Sequence, residues 1–197
     1  LLDLPGKVAI QLNDTHPALA IVELLRILVD EHKFEMMIAW HLITKVFSYT
    51  NHTVLPEALE KWNIEVFQKL LPRHLELIYT VNFFFMESIK NEFPGNHAKM
   101  AALSLVEESN PKKVRMANLC VLGSHKVNGV SAIHSEIIKN QTFKDFYDLD
   151  QKKFINVTNG VTVRRWIGEA NPPLAELYNE SLATNDYLID FGMVKSL

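Results

Sequence analysis

The feature that most constrains the fold is a short apolar run that leads through a polar cluster directly into an amphipathic helix. Residues 8–12, with the sequence Val-Ala-Ile-Gln-Leu, are typical of a short and mostly buried strand. The cluster Asn13-Asp14-Thr15-His16 follows, and Pro17 is tolerated in the first turn of a helix. Leucine and isoleucine then recur at helical spacing from Leu19 to Leu28. A strand that enters a helix in this way predicts an α/β architecture.

The rest of the sequence continues this alternation, with a mostly helical middle. Helices are predicted over about 35–49, 64–93 with a kink at Pro72, 97–108, from 128 or 129 to 138, and 174–182. Apolar core strands are predicted over 114–122 and 154–157. No apolar run is long enough to predict a membrane-spanning helix.

Composition narrows the possible functions. The chain of 197 residues is 48% apolar and 22% charged, as in ordinary globular proteins, which excludes disorder, collagen and coiled coil. The net charge of −3 offers no basic excess for nucleic acid. Cys120 is the single cysteine of the sequence, so it predicts neither an intrachain disulfide nor a cysteine-rich zinc site. The start of the chain resembles no signal peptide, which predicts a cytoplasmic protein, and it lacks an initiator Met, which predicts a longer reading frame.

Three polar clusters are candidates for a ligand site: Asn13 to His16, Asn51-His52-Thr53 and Thr158-Asn159-Gly160. Two of them follow predicted strands, and ligands of open α/β sheets bind beyond the carboxyl ends of the strands. Amides, carboxylates and hydroxyls suit a hydroxyl-rich ligand such as a sugar. The same residue types also cap helices and form turns, so both interpretations stay open here.

Other motifs favour less specific hypotheses. Asp14, His16 and His52 could ligate a metal ion, but no paired Cys/His spacing supports this, and no metal is predicted. Residues 123–129 are predicted to form a strand-to-helix loop, which serves either as an anion site or as an ordinary connection. Arg164-Arg165-Trp166 could meet a phosphate or a cofactor, or form a surface arginine pair beside a core tryptophan.

Five segments, taken in order, resemble the glycogen (α-1,4-glucan) phosphorylase family. They lie at 8–21, 49–60, 70–75, 125–130 and 158–166, and the last reads Thr-Asn-Gly-Val-Thr-Val-Arg-Arg-Trp, with Val163 where the family has proline. The resemblance covers essentially the whole chain, which would be about a quarter of a family member. It implies a partial GT-B-like α/β fold, with the end of an N-terminal Rossmann-like domain at 1–159 and the start of a C-terminal domain at 160–197.

The family transfers glucosyl units from the ends of α-1,4-glucan to phosphate, with pyridoxal phosphate as its cofactor. The resemblance implies that His52 and Asn159 are the catalytic positions and bind the C6 hydroxyl of the glucosyl group. Three residues would line a pocket on the β side of the anomeric carbon: Asp14, His16 and Glu60. Val130 would pack near the C6 edge, and Trp166 would lie beside the cofactor.

The resemblance also implies a glycogen-storage site on the long helices. Its positions would be Tyr79, Asn82, Ser104, Glu108 and Lys112. The family continues the Asn82 position with glutamine, whereas this chain continues with three phenylalanines, Phe83 to Phe85. This departure predicts exposed apolar surface at the storage site.

In the family, the lysine that binds the cofactor lies in sequence that would follow Leu197, as do the residues that hold phosphate. We therefore expect a segment of a homodimeric phosphorylase that acts on glycogen and phosphate and is inactive alone. Neither nucleic acid nor a membrane is an expected partner. Two alternatives stay open: a non-catalytic module that binds glucan or pairs with a full-length phosphorylase, and a decayed copy without a selected role.

Overall fold

A computed structural model describes residues 1–197, with the exception of the side chain of Pro56, and divides them into two compact units. The first unit comprises Leu1–Thr158 and the second comprises Asn159–Leu197. The chain is a helix-rich mixed α/β protein with a parallel sheet, which confirms the predicted class. The GT-B-like assignment and the phosphorylase domains at 1–159 and 160–197 stay predictions, because compactness alone does not identify parts of a larger protein.

The secondary structure of the first unit combines short strands with helices of very different length. The strands are β1 (Ile10–Asn13), β2 (Phe47–Thr50), β3 (Lys61–Asn63), β4 (Val106–Glu107), β5 (Lys113–Arg115), β6 (Lys126–Gly129) and β7 (Phe154–Asn156). The α-helices are α1 (Leu19–Arg26), α2 (Met36–Val46), α3 (Ile64–Leu70), α4 (Pro72–Glu92), α5 (His97–Leu103), α6 (Met116–Gly123), α7 (Ala132–Ile137) and α8 (Lys144–Leu149). Helices α1 and α7 continue into π-helical turns at Ile27–Glu31 and Ile138–Thr142.

A four-stranded parallel sheet in the order β1-β2-β6-β7 forms the centre of the first unit. Asn13 pairs with Thr50, Thr50 pairs with Asn128, and Gly129 pairs with Asn156. The polar ends of the four strands therefore lie along one edge. A smaller antiparallel sheet in the order β3-β5-β4 lies in the same unit and was not predicted.

Strand β2 corrects the prediction of a helix over 35–49. Helix α2 ends at Val46, and Phe47 is already extended, with φ −89° and ψ 145°. Phe47 and Tyr49 are fully buried, and β2 pairs with β1 on one side and β6 on the other. The tertiary pairing satisfies both backbone edges, which a local helical pattern cannot anticipate.

Residues 114–122, predicted as one core strand, instead form the end of β5 and most of α6. Nearly every residue of α6 is buried, and a helix that is apolar on all sides resembles a buried strand in sequence. The predicted helix start at 128 or 129 is also wrong, because residues 126–129 are strand β6 and α7 begins at Ala132. The interpretation of 123–129 as a strand-to-helix anion site is therefore wrong as well.

The predicted long helix over 64–93 is two helices. Leu71 leaves the helical region, with φ −138° and ψ 54°, and Pro72 begins α4, where its missing N–H is not needed. The helix predicted over 97–108 ends at Leu103, and Val106 enters β4. These breaks bring the 104–108 segment back to the small sheet.

The second unit contains a π-helical turn at Arg164–Glu169, helix α9 (Pro172–Leu182) and two 3₁₀ turns. Tyr187 is fully buried, and its hydroxyl donates to the carbonyl oxygen of Ala175 at 3.1 Å. Its ring packs edge-on against Tyr178, with centroids 5.3 Å apart. Within residues 1–197 as described, no helix combines the length and apolarity needed to cross a membrane.

Candidate functional site

The carboxyl edge of the parallel sheet carries a connected row of polar side chains. The hydroxyl of Thr50 donates to Asn128 Oδ1 at 2.8 Å and accepts from Gln11 Nε2 at 2.8 Å. Asn128 in turn donates through Nδ2 to the carbonyl oxygen of Gly129 at 2.9 Å. This edge is therefore hydrogen-bonded across β1, β2 and β6, which fixes the loops that follow the strands.

Asp14 turns the chain sharply at the end of β1. Its φ of 63° lies in the left-handed region, which few residues other than glycine adopt. Two hydrogen bonds hold it there: its N–H donates to the carbonyl oxygen of Thr50 at 3.0 Å, and its Oδ1 accepts the N–H of Thr15 at 2.7 Å.

A cavity of about 710 Å³ opens beside this turn. It is lined by Asp14, Thr15, His16, Thr53, Glu57, Ala58, Leu59, Glu60, Lys61, Trp62 and Lys113. The structure thus brings together Asp14, His16 and Glu60, the three residues expected to share a pocket. Thr15 and Thr53 belong to the polar clusters identified in the sequence, whereas sequence reasoning gave no role to Trp62 or to the rest of the lining.

The carboxylate of Glu60 is held at both oxygens. Thr15, which is 4% exposed, donates through Oγ1 to Oε2 at 2.6 Å, and Trp62 donates through Nε1 to Oε1 at 2.7 Å. The two-residue spacing of Glu60 and Trp62 is that of side chains on one face of an extended segment, and could have pointed to this contact. The 45-residue separation of Thr15 and Glu60 offered no signal in the sequence.

The cavity mixes carboxylates, cations and a histidine. Lys61 forms an ion pair with Glu107, which does not line the cavity: its Nζ lies 2.6 Å from Glu107 Oε2 and lowers the pKa of that carboxyl. Lys113 lines the cavity beside it. Carboxylates that accept and ammonium groups that donate suit a ligand with several hydroxyls. Among the described residues, no group of three or more His, Cys, Asp or Glu side chains could hold a metal ion.

His52 lies at the adjacent loop rather than in the lining of this cavity. Its Nε2 is 2.7 Å from Asn13 Oδ1, and its side chain is exposed. Asn51 before it is fully buried, and its Nδ2 donates to the Tyr49 hydroxyl at 3.0 Å. Burial of Tyr49 raises the pKa of its phenol far above the ordinary range, so this hydroxyl stays protonated.

Val130 connects to the His52 loop through His134, which sequence reasoning missed. The N–H of Val130 donates to His134 Nδ1 at 3.0 Å, and His134 Nε2 lies 3.0 Å from Asn51 Oδ1. Burial, and then the nearby imidazole of His52, lower the pKa of His134. The four-residue spacing of Val130 and His134 was the available sequence signal.

Asn159 and Trp166 belong to the second unit, described here by itself. Both are exposed, and Trp166 is 64% exposed. Arg164 and Arg165, which precede it in the π-helical turn, are also exposed. This unit therefore offers a flat aromatic group beside two guanidinium groups.

Of the residues expected in the storage site, Tyr79 and Asn82 lie on α4. The other three lie between the end of α5 and the start of β5: Ser104, Glu108 and Lys112. Asn82 Oδ1 accepts from Leu105 N–H at 2.7 Å and from Ser104 Oγ at 3.3 Å, which joins two of the expected positions. Glu108 and Lys112 form an exposed ion pair that raises the pKa of the lysine.

The phenylalanines after Asn82 have different environments. Phe83 is 61% exposed and, with Tyr79 and Phe84, lines an apolar hollow of about 520 Å³. Phe85 instead stacks on Phe146, with centroids 6.1 Å apart. The predicted exposed apolar surface is therefore confirmed at Phe83 and Phe84.

Comparison with known proteins matches the whole chain. A sequence model of the carbohydrate phosphorylase family matches residues 1–197. The glycogen phosphorylase of Saccharomyces cerevisiae is 52% identical over 199 residues, which cover 99% of this chain and 22% of the yeast protein. The brain form of Ovis aries is 53% identical over 193 residues, 98% of this chain and 23% of that protein. The glycogen phosphorylase of Chlamydia pneumoniae is 53% identical over 190 residues, 96% of this chain and 23% of that protein.

The chain therefore spans less than a quarter of the length of these relatives. The residues matched by the family model include β1, the Glu60 cavity, the His52 loop and the second unit. From these matches and from the polar site at the edge of its parallel sheet, we conclude that the chain belongs to the carbohydrate phosphorylase family.

Proposed function

We propose that this chain supplies one wall of the glucosyl site of an α-1,4-glucan phosphorylase, which releases glucose 1-phosphate from glycogen. The observation that carries the proposal is the cavity bordered by Asp14, His16 and Glu60 at the carboxyl edge of a parallel sheet. Ligands of open α/β sheets bind at this edge. The two hydrogen bonds to the Glu60 carboxylate fix its orientation before a ligand binds, so binding costs no further side-chain entropy there.

The residues divide the recognition of the sugar between them. Asp14 and Glu60 accept from hydroxyl groups on the β side of the ring, and His16 completes that pocket. His52 and Asn159 bind the C6 hydroxyl, and Val130 packs against the C6 edge. In this proposal residues 1–159 end the N-terminal domain of a GT-B-like fold and residues 160–197 begin the C-terminal domain. The enzyme is a cytoplasmic homodimer whose partners are glucan and phosphate.

The second unit fits pyridoxal phosphate in its chemistry. The exposed indole of Trp166 offers a face for a flat heteroaromatic ring, and Arg164 and Arg165 are suited to a phosphate. The cofactor, when bound, would supply a phosphate group for acid–base chemistry. We infer that Trp166 lies against the cofactor and excludes water there. We also infer that these 197 residues do not complete the catalytic centre by themselves.

A chimaera tests the proposal, with this chain replacing the matching 199 residues of the yeast relative. We expect glucose 1-phosphate from glycogen and phosphate, and a loss of about 10- to 100-fold in kcat/KM for Glu60→Gln, since a hydrogen bond to a charged group is worth about 1.5–3 kcal/mol. Glu65→Gln on the exposed face of α3 is the matched control. The 197-residue chain alone, with glycogen, phosphate and pyridoxal phosphate, should form none.

Two results would contradict the proposal. A chimaera that folds and binds pyridoxal phosphate but is as active with Glu60→Gln as without it would remove the cavity from the glucosyl site. Formation of glucose 1-phosphate by the isolated chain, above a blank without cofactor, would show that the chain completes a catalytic centre.

A second candidate function is glucan binding without catalysis, and the surface of α4 favours it. Tyr79 and Phe83 expose aromatic rings beside an apolar hollow. The ion pair of Glu108 and Lys112, in the segment between β4 and β5, adds polar groups. Aromatic faces pack on the apolar faces of sugar rings and bury much area at little entropic cost. In this reading Asn82 and Ser104 hold the surface together rather than contact glucan.

Co-sedimentation with glycogen tests this candidate. The 197-residue chain should pellet with glycogen, and Phe83→Gln should reduce the pelleted fraction. Leu177→Gln, a change at an exposed apolar residue of α9, is the control. No pelleting of the unmodified chain, or an equal effect of both substitutions, would count against glucan binding at α4.

A further inference from the structure

His134 occupies a buried position between two loops of the candidate site. It is 9% exposed, and both of its ring nitrogens have partners. The N–H of Val130 donates to Nδ1 at 3.0 Å, and Nε2 lies 3.0 Å from Asn51 Oδ1. Because a backbone N–H can only donate, Nδ1 must be unprotonated, so Nε2 carries the proton and donates to Asn51. The network thus selects one neutral tautomer.

The other hydrogen bonds of Asn51 fix the loop that carries His52. Asn51 Oδ1 also accepts the N–H of Thr53 at 3.2 Å, and its own N–H donates to the carbonyl oxygen of Asn128 at 3.0 Å. Its Nδ2 donates to the Tyr49 hydroxyl at 3.0 Å. The two chain neighbours of His52, Asn51 and Thr53, are therefore both held by hydrogen bonds of Asn51. His134 is a further hydrogen-bond partner of the Asn51 side chain.

We propose that His134 is a positioning residue that holds the His52 loop and the Val130 loop in one arrangement, so that both face the hydroxymethyl edge of a bound glucosyl unit. The inference rests on the proposed function, which assigns the C6 contacts to these loops. It extends that function to specificity, because a hexose and a pentose differ at this edge. His134 itself touches only protein groups.

The two hydrogen bonds of His134 require its imidazole ring to be neutral. A proton on Nδ1 would place a donor against the N–H of Val130 and break that hydrogen bond. Burial, and then the neighbouring His52, lower the pKa of His134 and so favour the neutral ring. An apolar ring of the same size would leave Asn51 Oδ1 and the Val130 N–H without this partner.

Two substitutions separate the two hydrogen bonds. In His134→Asn, Oδ1 stands near the place of Nδ1 and can accept from Val130, whereas nothing reaches Asn51. In His134→Gln, the terminal NH₂ stands near the place of Nε2 and can donate to Asn51, whereas the acceptor for Val130 is lost. The same two substitutions at exposed His97, the first residue of α5, are the matched controls.

The experiment uses the full 197-residue chain and two probes, D-glucose and D-xylose, which lacks the hydroxymethyl group. NMR titration gives both dissociation constants, and amide exchange reports the Val130 N–H. We expect His134→Asn to reduce the preference for glucose by about tenfold, the effect of one well-placed hydrogen bond, and His134→Gln by about twofold. Exchange at Val130 should accelerate about tenfold in the glutamine variant only. The His97 variants should leave the sugar preference and the exchange rate unchanged.

A preference for glucose that both His134 variants retain, even with lower thermal stability, would overturn the proposal and leave the ring a packing role. If the unmodified chain does not distinguish the sugars, one wall of the site is not enough for selection, and the same comparison in the chimaera with the yeast relative tests the proposed glucosyl site. The positioning role is then decided by the imidazole signals of His52. They should shift in His134→Asn and stay in place in His134→Gln, and signals that stay in place in both variants would overturn it.

Discussion

Thr15 provides the sharpest test of how the Glu60 carboxylate is held. Its hydroxyl is buried and donates to Oε2 at 2.6 Å, while Trp62 donates to Oε1 at 2.7 Å. Thr15→Val keeps the branched shape of the side chain and removes only the donor. The substitution therefore isolates one charged hydrogen bond between the turn after β1 and the residue that precedes β3.

The magnitude follows from the type of bond and from its surroundings. A hydrogen bond to a charged group contributes about 1.5–3 kcal/mol to the free energy of unfolding. Glu60 borders an open cavity, so water replaces part of the lost bond, and we expect a loss of about 1–2 kcal/mol. For a chain of this size that lowers the melting temperature by about 2–8 °C.

A double substitution makes the prediction specific to this pair. In Glu60→Gln the amide oxygen can accept from Trp62 Nε1 and the NH₂ group can donate to the Thr15 hydroxyl, so the charged hydrogen bond to Thr15 becomes a neutral one. Adding Thr15→Val then removes only this weaker, neutral hydrogen bond. The double variant should therefore lose less stability than the sum of the single variants, with a coupling of about 1 kcal/mol.

The assay is urea unfolding at pH 7, followed by near-ultraviolet circular dichroism. Thr80→Val is the control, since the hydroxyl of Thr80 is exposed and donates within α4 to the carbonyl oxygen of Glu76. Equal midpoints for Thr15→Val and Thr80→Val would refute the reasoning. Additivity of Thr15→Val and Glu60→Gln to within about 0.3 kcal/mol would refute it too.

Two further predictions concern the packing and the pH dependence of the first unit. Gly129→Ala should lower the free energy of unfolding by about 1–3 kcal/mol, because the added Cβ would stand 2.8 Å from Ser135 Cα. Gly160→Ala, whose Cβ would meet no described atom within 4 Å, should have no measurable effect in the same urea titration. The Arg26 guanidinium, followed by His74, holds the pKa of Glu23 at about 2 rather than 4.5, so this carboxylate stabilises the fold above pH 4.5 and loses its contribution as the pH falls toward 2. Glu23→Gln should therefore flatten the acid limb of a stability–pH curve, and an unchanged limb would contradict the assignment.

The predictions from sequence succeeded where the signal was local. The strand before Asn13 and the helix from Leu19 were anticipated to within a few residues, and the place of the interruption at Pro72 was anticipated as a kink. They depend on periodicity, capping and proline geometry, which neighbouring residues determine.

The failures came where burial on all sides erased the local pattern. Residues 47–49 continued a helical pattern yet became part of a central strand, because β1 and β6 both pair with it. Met116–Gly123 read as a strand yet became a helix, because its surroundings cover every face. The resemblance assigned roles to Glu60 and Val130, but it assigned none to Thr15 or His134, the residues that hold them.

The sequence by itself determined the α/β class, the family and the types of side chain available for a sugar site. Only the tertiary structure decided which of those side chains meet. The bonds from Thr15 to Glu60 and from His134 to Asn51 join residues 45 and 83 positions apart. Contacts of that range form through the packing of strands and helices, because sequence periodicity reports which face a residue shares with its neighbours and not what lies opposite that face.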